Sequence, residues 1–172
     1  MLTVAPNGGR KTKADHPALP LTADELAWTA AECLERGASM IHLHVRDADG
    51  QHCLDAEAYR ATIAHICEEV GDKLVLQITS ESLGAYSPAE QRAAVLDANP
   101  EAVSLALREL APDPSDEPEF GLFLSKLKTM RIWPQIILYT PAEAERLGAM
   151  AKRGLIPFDK LAVLYVDRKS VV

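Results

Sequence analysis

Long apolar runs are absent from this sequence. The longest, such as "KLAVLYV" at 160–166, fall far short of the ~20 residues of a membrane span, so no membrane role is expected. A signal peptide is not expected either: the opening "MLTVAPNGGRKTKAD" places its short apolar segment before the basic residues and soon turns polar and glycine-rich. Cysteine is scarce. Cys33, Cys53 and Cys67 form an odd set with no C-x-x-C pair, which fits reduced thiols packed as small hydrophobes in a cytoplasmic protein. Basic residues never gather into a block and the net charge is −7, which argues against nucleic acid as a partner. No internal repeat or low-complexity segment stands out.

What is present is alternation. Short apolar runs at 2–5, 39–45, 73–79, 102–107, 132–139 and 160–166 read as strands. Between them, 22–38, 55–71, 87–99, 115–130 and 140–154 read as helices, several with Ser, Thr or Asp at the start and some with glycine at the end. Ser87-Pro88 is an N-cap and first-turn pair, and Pro134 must sit near the start of its strand. The strands are continuous apolar runs rather than strict alternations, as in a parallel sheet buried on both faces. The chain is thus α/β, with six β-α units of which the last lacks its helix. Two architectures fit: an open doubly wound sheet and a (β/α)8 barrel. The first strand is not followed by G-x-G-x-x-G, and "PNGGRKT" lacks Walker spacing, which weakens the nucleotide-binding open sheet.

The polar residues that interrupt these strands carry the chemistry. In "SMIHLHV", His42 and His44 are two apart and share one face of a strand. Their Cβ atoms are then roughly 6–7 Å apart, close enough for two imidazoles to tilt onto one metal ion. The bland alternative is two histidines satisfied by protein hydrogen bonds. The cost of burying two imidazoles together favours ligands, and a barrel places its chemistry at the C-terminal ends of strands. Gln77, Thr79 and Ser80 break the next apolar run, and Ser104 breaks the one after. The loop after the first strand carries Arg10, Lys11 and Lys13, which with backbone N–H groups can bind an anion. His52 and His65 are expected to be structural or solvated, and His16 is a weaker candidate for lining the site.

The segments "TKADHPALPLT", "CLERGASMIHLHVRDADG", "LVLQIT" and "PEAVSLAL", in this order and spacing, resemble the β-keto acid cleavage enzymes, the family of 3-keto-5-aminohexanoate cleavage. The resemblance runs from residue 2 to about residue 166. It implies a (β/α)8 TIM barrel, here with about six strands present, and a divalent metal, usually zinc. The implied reaction is acyl transfer with C–C cleavage: a β-keto acid and acetyl-CoA give acetoacetate and a new CoA thioester. By match, His42 and His44 are metal ligands, with a late glutamate as the third. The metal acts as a Lewis acid on the keto group. Thr79 and Ser104 fall on substrate-binding hydroxyl positions. The intact protein is expected to be a cytoplasmic homo-oligomer.

Three departures are visible. Arg10 stands where the amino-substrate enzyme has a glutamate facing the ammonium group, and a cation there repels an amino substrate. Ile137 replaces a glutamate on the fifth strand. The late glutamate and a catalytic arginine–aspartate pair have no counterpart in this chain. Residues 1–166 are therefore expected to be the first three-quarters of one barrel domain truncated at its C-terminus. Residues 167–172, "DRKSVV", leave the family pattern and are expected to be a foreign tail. As such a piece the chain is expected to be inactive, since two zinc ligands hold metal weakly. Two other functions fit less of the sequence: a metal-dependent hydrolase of amidohydrolase type, whose H-x-H lies on the first strand, and a non-catalytic barrel fragment that associates through open edges. An intact homologue carrying this Arg10 loop should turn over 3-keto-5-aminohexanoate poorly; rapid acetoacetate release from that substrate would remove the role given to Arg10.

Overall fold

Local signals decide where the helices begin. Thr22, Ser87 and Thr140 each accept a hydrogen bond from the backbone three residues on, and Glu25, Glu90 and Glu143 each reach back to the cap. These capping boxes satisfy otherwise unpaired N–H groups at the helix start. Asp55 caps a fourth helix through the Ala58 N–H. The computed structural model describes residues 1–166; the expected tail at 167–172 lies outside the described residues.

The strands are β1 (Thr3–Val4), β2 (Met40–Leu43), β3 (Val45–Arg46), β4 (His52–Cys53), β5 (Val75–Thr79), β6 (Ala102–Ala106), β7 (Trp133–Leu138) and β8 (Ala162–Tyr165). The α-helices are α1 (Ala23–Glu35), α2 (Ala56–Val70), α3 (Pro88–Ala98), α4 (Leu107–Leu110), α5 (Glu117–Met130) and α6 (Pro141–Lys152). Six strands form one sheet in the order β1-β2-β5-β6-β7-β8, and β3 and β4 form a separate pair. The order follows the chain without reversal, whereas a doubly wound sheet reverses at a switch point. The pairs β1·β2, β2·β5 and β7·β8 are parallel. The fold is therefore α/β with the strand order of a (β/α)8 barrel, six strands of which are present. Among the described residues, no helix is long and apolar enough to cross a membrane.

The chain divides into two compact units. The first comprises Met1–Thr79 with Pro100–Ala102. Its core joins Leu26, Ala27 and Ala30 of α1 to Ile66 and Val70 of α2, and both to Ile41 and Leu43 of β2. The α2 stripe Tyr59, Thr62, Ile66 and Val70 repeats at helical spacing. Ile41 and Leu43 face this core, so Met40 and His42 face the other side of β2. Truncating fully buried Leu43 to Ala would cost about 2–5 kcal/mol.

The expected strand at 39–45 is interrupted. Regular pairing stops at Leu43, because the Asn7 side chain takes both backbone groups of His44. The chain then resumes as β3, pairs antiparallel with β4, and turns at Asp47. There Asp47 Oδ1 accepts from the N–H groups of Asp49 and Gln51, and Gly50 takes φ +75°.

The second unit comprises Ser80–Asn99 and the chain from Val103 on. β6 is buried throughout and runs directly into α4. Buried Glu117 at the start of α5 accepts from Arg146 Nε at 2.6 Å and from Arg153, both on or just after α6. Gly121 lets α5 approach Leu155: a Cβ there would lie 2.9 Å from the Leu155 carbonyl oxygen. β8 leaves Val163, Leu164 and Tyr165 exposed.

The α1 cap titrates. The Lys13 ammonium, followed by the Leu21 and Thr22 N–H groups, holds the Glu25 carboxyl at a pKa of about 2, below its ordinary 4.5. A depressed acid stabilises the fold above its unfolded pKa and loses that contribution as pH falls through the folded value. Glu25→Gln should therefore lose more stability at pH 6 than at pH 2, with the difference closing below pH 4.5. Urea titrations at stepped pH check this, and a deficit independent of pH would contradict it.

Candidate metal centre at the end of the second strand

β2 supplies the first imidazole and the residue after β2 the second. His44 is buried at 3% exposure and His42 is half-buried. The parallel register sets His42 beside Gln77 of β5. That register makes the key contact: His42 Nδ1 lies 2.9 Å from Gln77 Oε1. An amide oxygen can only accept, so Nδ1 carries the proton and Nε2 keeps its lone pair. Such a contact on the far ring nitrogen is how metal-ligating histidines are oriented.

The Nε2 atoms of His42 and His44 lie 3.3 Å apart, and the rings meet at 74°. Two nitrogens bound to one tetrahedral zinc at ~2.0–2.1 Å stand about 3.3–3.4 Å from each other. The pair is already at chelating distance. Both rings are also in the neutral form that binds metal. Burial pulls the His42 pKa down against the Gln77 contact. Burial first, then the charges of His42, His52 and Arg46, pull His44 to about 2.

A third imidazole is nearby. The β3–β4 turn brings the His52 ring centroid to 5.2 Å from that of His44, with the planes tilted by 58°. Its place beside the pair was not readable from spacing, because a hairpin and not a strand face brings it there. It does not complete a donor set: among the described residues, no group of three His, Cys, Asp or Glu is arranged to hold a metal ion. The residues present fit two of a zinc ion's ligands.

The other expected site residues divide between the units. Arg10 is exposed on the loop after β1, which Asn7 and Arg46 tie to the end of β2. Thr79 is buried at the end of β5, two positions beyond Gln77 and so on the same strand face. Its carbonyl accepts from the buried Tyr59 hydroxyl at 3.1 Å. Ser104 belongs to the second unit, buried in β6, where its carbonyl accepts from the Ser80 N–H at 3.1 Å. Ile137 is a half-buried position of β7. His65 pairs with Asp24 at 2.9 Å on the helical side, and His16 Nδ1 accepts from the Ala18 N–H within its own loop. Gln77, Asn7 and Arg46, which sequence reasoning left without a role, contact the histidines or the loop after β1. The signal for Gln77 was its place as the one amide inside the run "KLVLQIT".

The family model of the beta-keto acid cleavage enzyme matches residues 1–167. The chain belongs to this family. A relative in Fusobacterium nucleatum, a 3-keto-5-aminohexanoate cleavage enzyme, is 38% identical over 84 residues, which cover 49% of this chain and 31% of the relative. A Cupriavidus necator 3-oxoadipate:acetyl-CoA acetyltransferase is 31% identical over 107 residues, 62% of this chain and 36% of the relative. A 3,5-dioxohexanoate:acetyl-CoA acetone transferase of Paraburkholderia graminis is 38% identical over 52 residues, 30% of this chain and 17% of the relative. The chain thus matches about a third or less of the length of these relatives.

The role of Gln77 is open to direct measurement. Gln77→Met removes the acceptor that fixes the His42 tautomer and should weaken zinc binding by roughly 10–100-fold. Competition against a chromophoric chelator reads this, and an affinity equal to that of the unaltered chain would take Gln77 out of the site.

Proposed function

We propose that the protein of which this chain is part is a zinc-dependent acyltransferase that converts a β-keto acid and acetyl-CoA into acetoacetate and a new CoA thioester. The observation that carries the reading is the pair of neutral imidazoles at chelating distance, one buried and one half-buried, with Gln77 fixing the tautomer of one. Family membership supplies the reaction class, and the relatives' names supply acetyl-CoA. In the reaction the two acyl groups exchange partners. The CH2–COO⁻ unit leaves the substituent's carbonyl carbon and ends on the acetyl carbon, and the CoA thiol ends on the substituent's acyl group. Atoms balance and no redox change occurs.

His42 and His44 would hold the zinc, which when bound polarises the keto oxygen as a Lewis acid. The chain's own residues do the rest of what is described. Gln77 holds the His42 ring in one orientation. The Ile41 and Leu43 packing fixes the strand from behind, so the imidazoles do not have to be ordered when a substrate arrives. The Thr79 and Ser104 hydroxyls are assigned to hydrogen-bond the substrate, each able to donate or accept. Arg10 places a positive charge in the first loop and favours a substrate whose substituent is anionic or neutral over one with an ammonium group. We further propose that the protein works in the cytoplasm as a homo-oligomer on these small molecules.

The deciding assay follows acetoacetate release by the intact protein with and without acetyl-CoA, before and after zinc chelation. Release should require both. Arg10→Glu should shift the ratio of kcat/KM values from anionic toward amino-bearing keto acids by about tenfold or more, the size of one charge-assisted contact. Turnover without acetyl-CoA would contradict the acyl-transfer reading.

A further inference from the structure

Arg46 closes the segment that carries the two histidines, and its guanidinium is spent on the backbone of another segment. Nη1 donates to the Gly9 carbonyl, and Nη2 donates to the carbonyls of Gly8 and, at 3.2 Å, Lys11. One side chain of β3 therefore gathers three carbonyls of the loop that follows β1. The planar guanidinium fork suits this, because it holds several donors in fixed directions. A second tie lies beside it. Asn7, 4% exposed, donates from Nδ2 to the His44 carbonyl at 2.8 Å and accepts from the His44 N–H at 3.3 Å. Gly8 reverses the chain between the two ties at φ +61°. The loop is thus bolted to the metal-binding end of β2 on both sides of Val45.

The direction of these bonds has a consequence. A trans peptide places its N–H opposite its C=O. With the Gly8 and Gly9 carbonyls drawn onto Arg46, the N–H groups of Gly9 and Arg10 point away from it. They share that stretch with the exposed Arg10 side chain. Two successive backbone donors and a cation are the chemistry that receives a carboxylate. A loop with two glycines would otherwise sample many orientations of these peptides.

We propose that Arg46 is a positioning residue for substrate selection: by gripping the Gly8, Gly9 and Lys11 carbonyls it presents Arg10 and the Gly9 and Arg10 N–H groups to the carboxylate of a β-keto acid whose substituent is itself acidic. This inference rests on the reading of Arg10 given above and adds to it the class of substituent and the residue that sets the loop. Arg46 does not touch the substrate. Its effect appears in the discrimination between substrates and not in metal binding.

The test uses the intact protein of which this chain is part, loaded with zinc and titrated calorimetrically with 3-oxoadipate, which carries a second carboxylate, and with acetoacetate, which does not. The unaltered chain should bind 3-oxoadipate more tightly. Arg46→Met should lower that affinity about tenfold while leaving acetoacetate and zinc affinity in place, and Arg46→Lys, which keeps the charge but loses the fork, should recover only part of the loss. Trypsin should also cut faster after Arg10 and Lys11 in both variants. If Arg10→Met abolishes the preference and both Arg46 variants keep it, the Arg46 proposal is overturned and the Arg10 reading stands. If the unaltered chain shows no preference, the Arg10 reading fails and this proposal falls with it. Loss of zinc binding in both Arg46 variants would show that Arg46 holds the strand end as a whole, which also overturns the proposal.

Discussion

The alternation of β2 is the constraint on which the site depends. Ile41 and Leu43 are drawn into the apolar core beneath α1 and α2. A strand cannot send neighbours to the same side, so His42 is sent to the opposite face. There it meets the residue that the parallel register sets alongside, Gln77. Hydrophobic burial on one side of the strand thus orients a polar group on the other. A one-residue slip of β2 would exchange the two sets and destroy core and site together. Core packing and site geometry are in this sense a single requirement.

The loops around β2 add what the strand cannot. Regular pairing ends at Leu43, and from there side chains replace the ladder: Asn7 takes the backbone of His44, Arg46 takes carbonyls of the first loop, and Asp47 builds the turn into β4. Each of these contacts joins segments that regular secondary structure leaves apart. Beside these contacts the two imidazoles converge to 3.3 Å between their Nε2 atoms, well inside the roughly 6–7 Å spacing expected of their Cβ atoms.

Much of this was legible beforehand. Capping residues marked the starts of α1, α2, α3 and α6 because an N-cap is a local event, settled within four residues. The H-x-H spacing identified the imidazole pair because a strand's period is fixed. Less legible was everything that depends on distant segments meeting. His52 comes beside His44 only through the hairpin, and Gln77 acquires its meaning only from register. Arg46 carries no local signal of its role, because its partners are backbone atoms more than thirty residues earlier.

By itself the sequence determined the α/β class, the positions of the five long helices and of the six sheet strands, and the pair of histidines two residues apart at the end of one strand. These follow from periodicity and capping, which act over a few residues. Tertiary structure alone decided the strand order, the tautomer of His42, the separation of the two Nε2 atoms, and the clamp that ties the Arg10 loop to the histidine-bearing strand. Those depend on hydrogen bonds between segments about 35 or more residues apart, and no local pattern encodes which distant acceptor a buried donor will find.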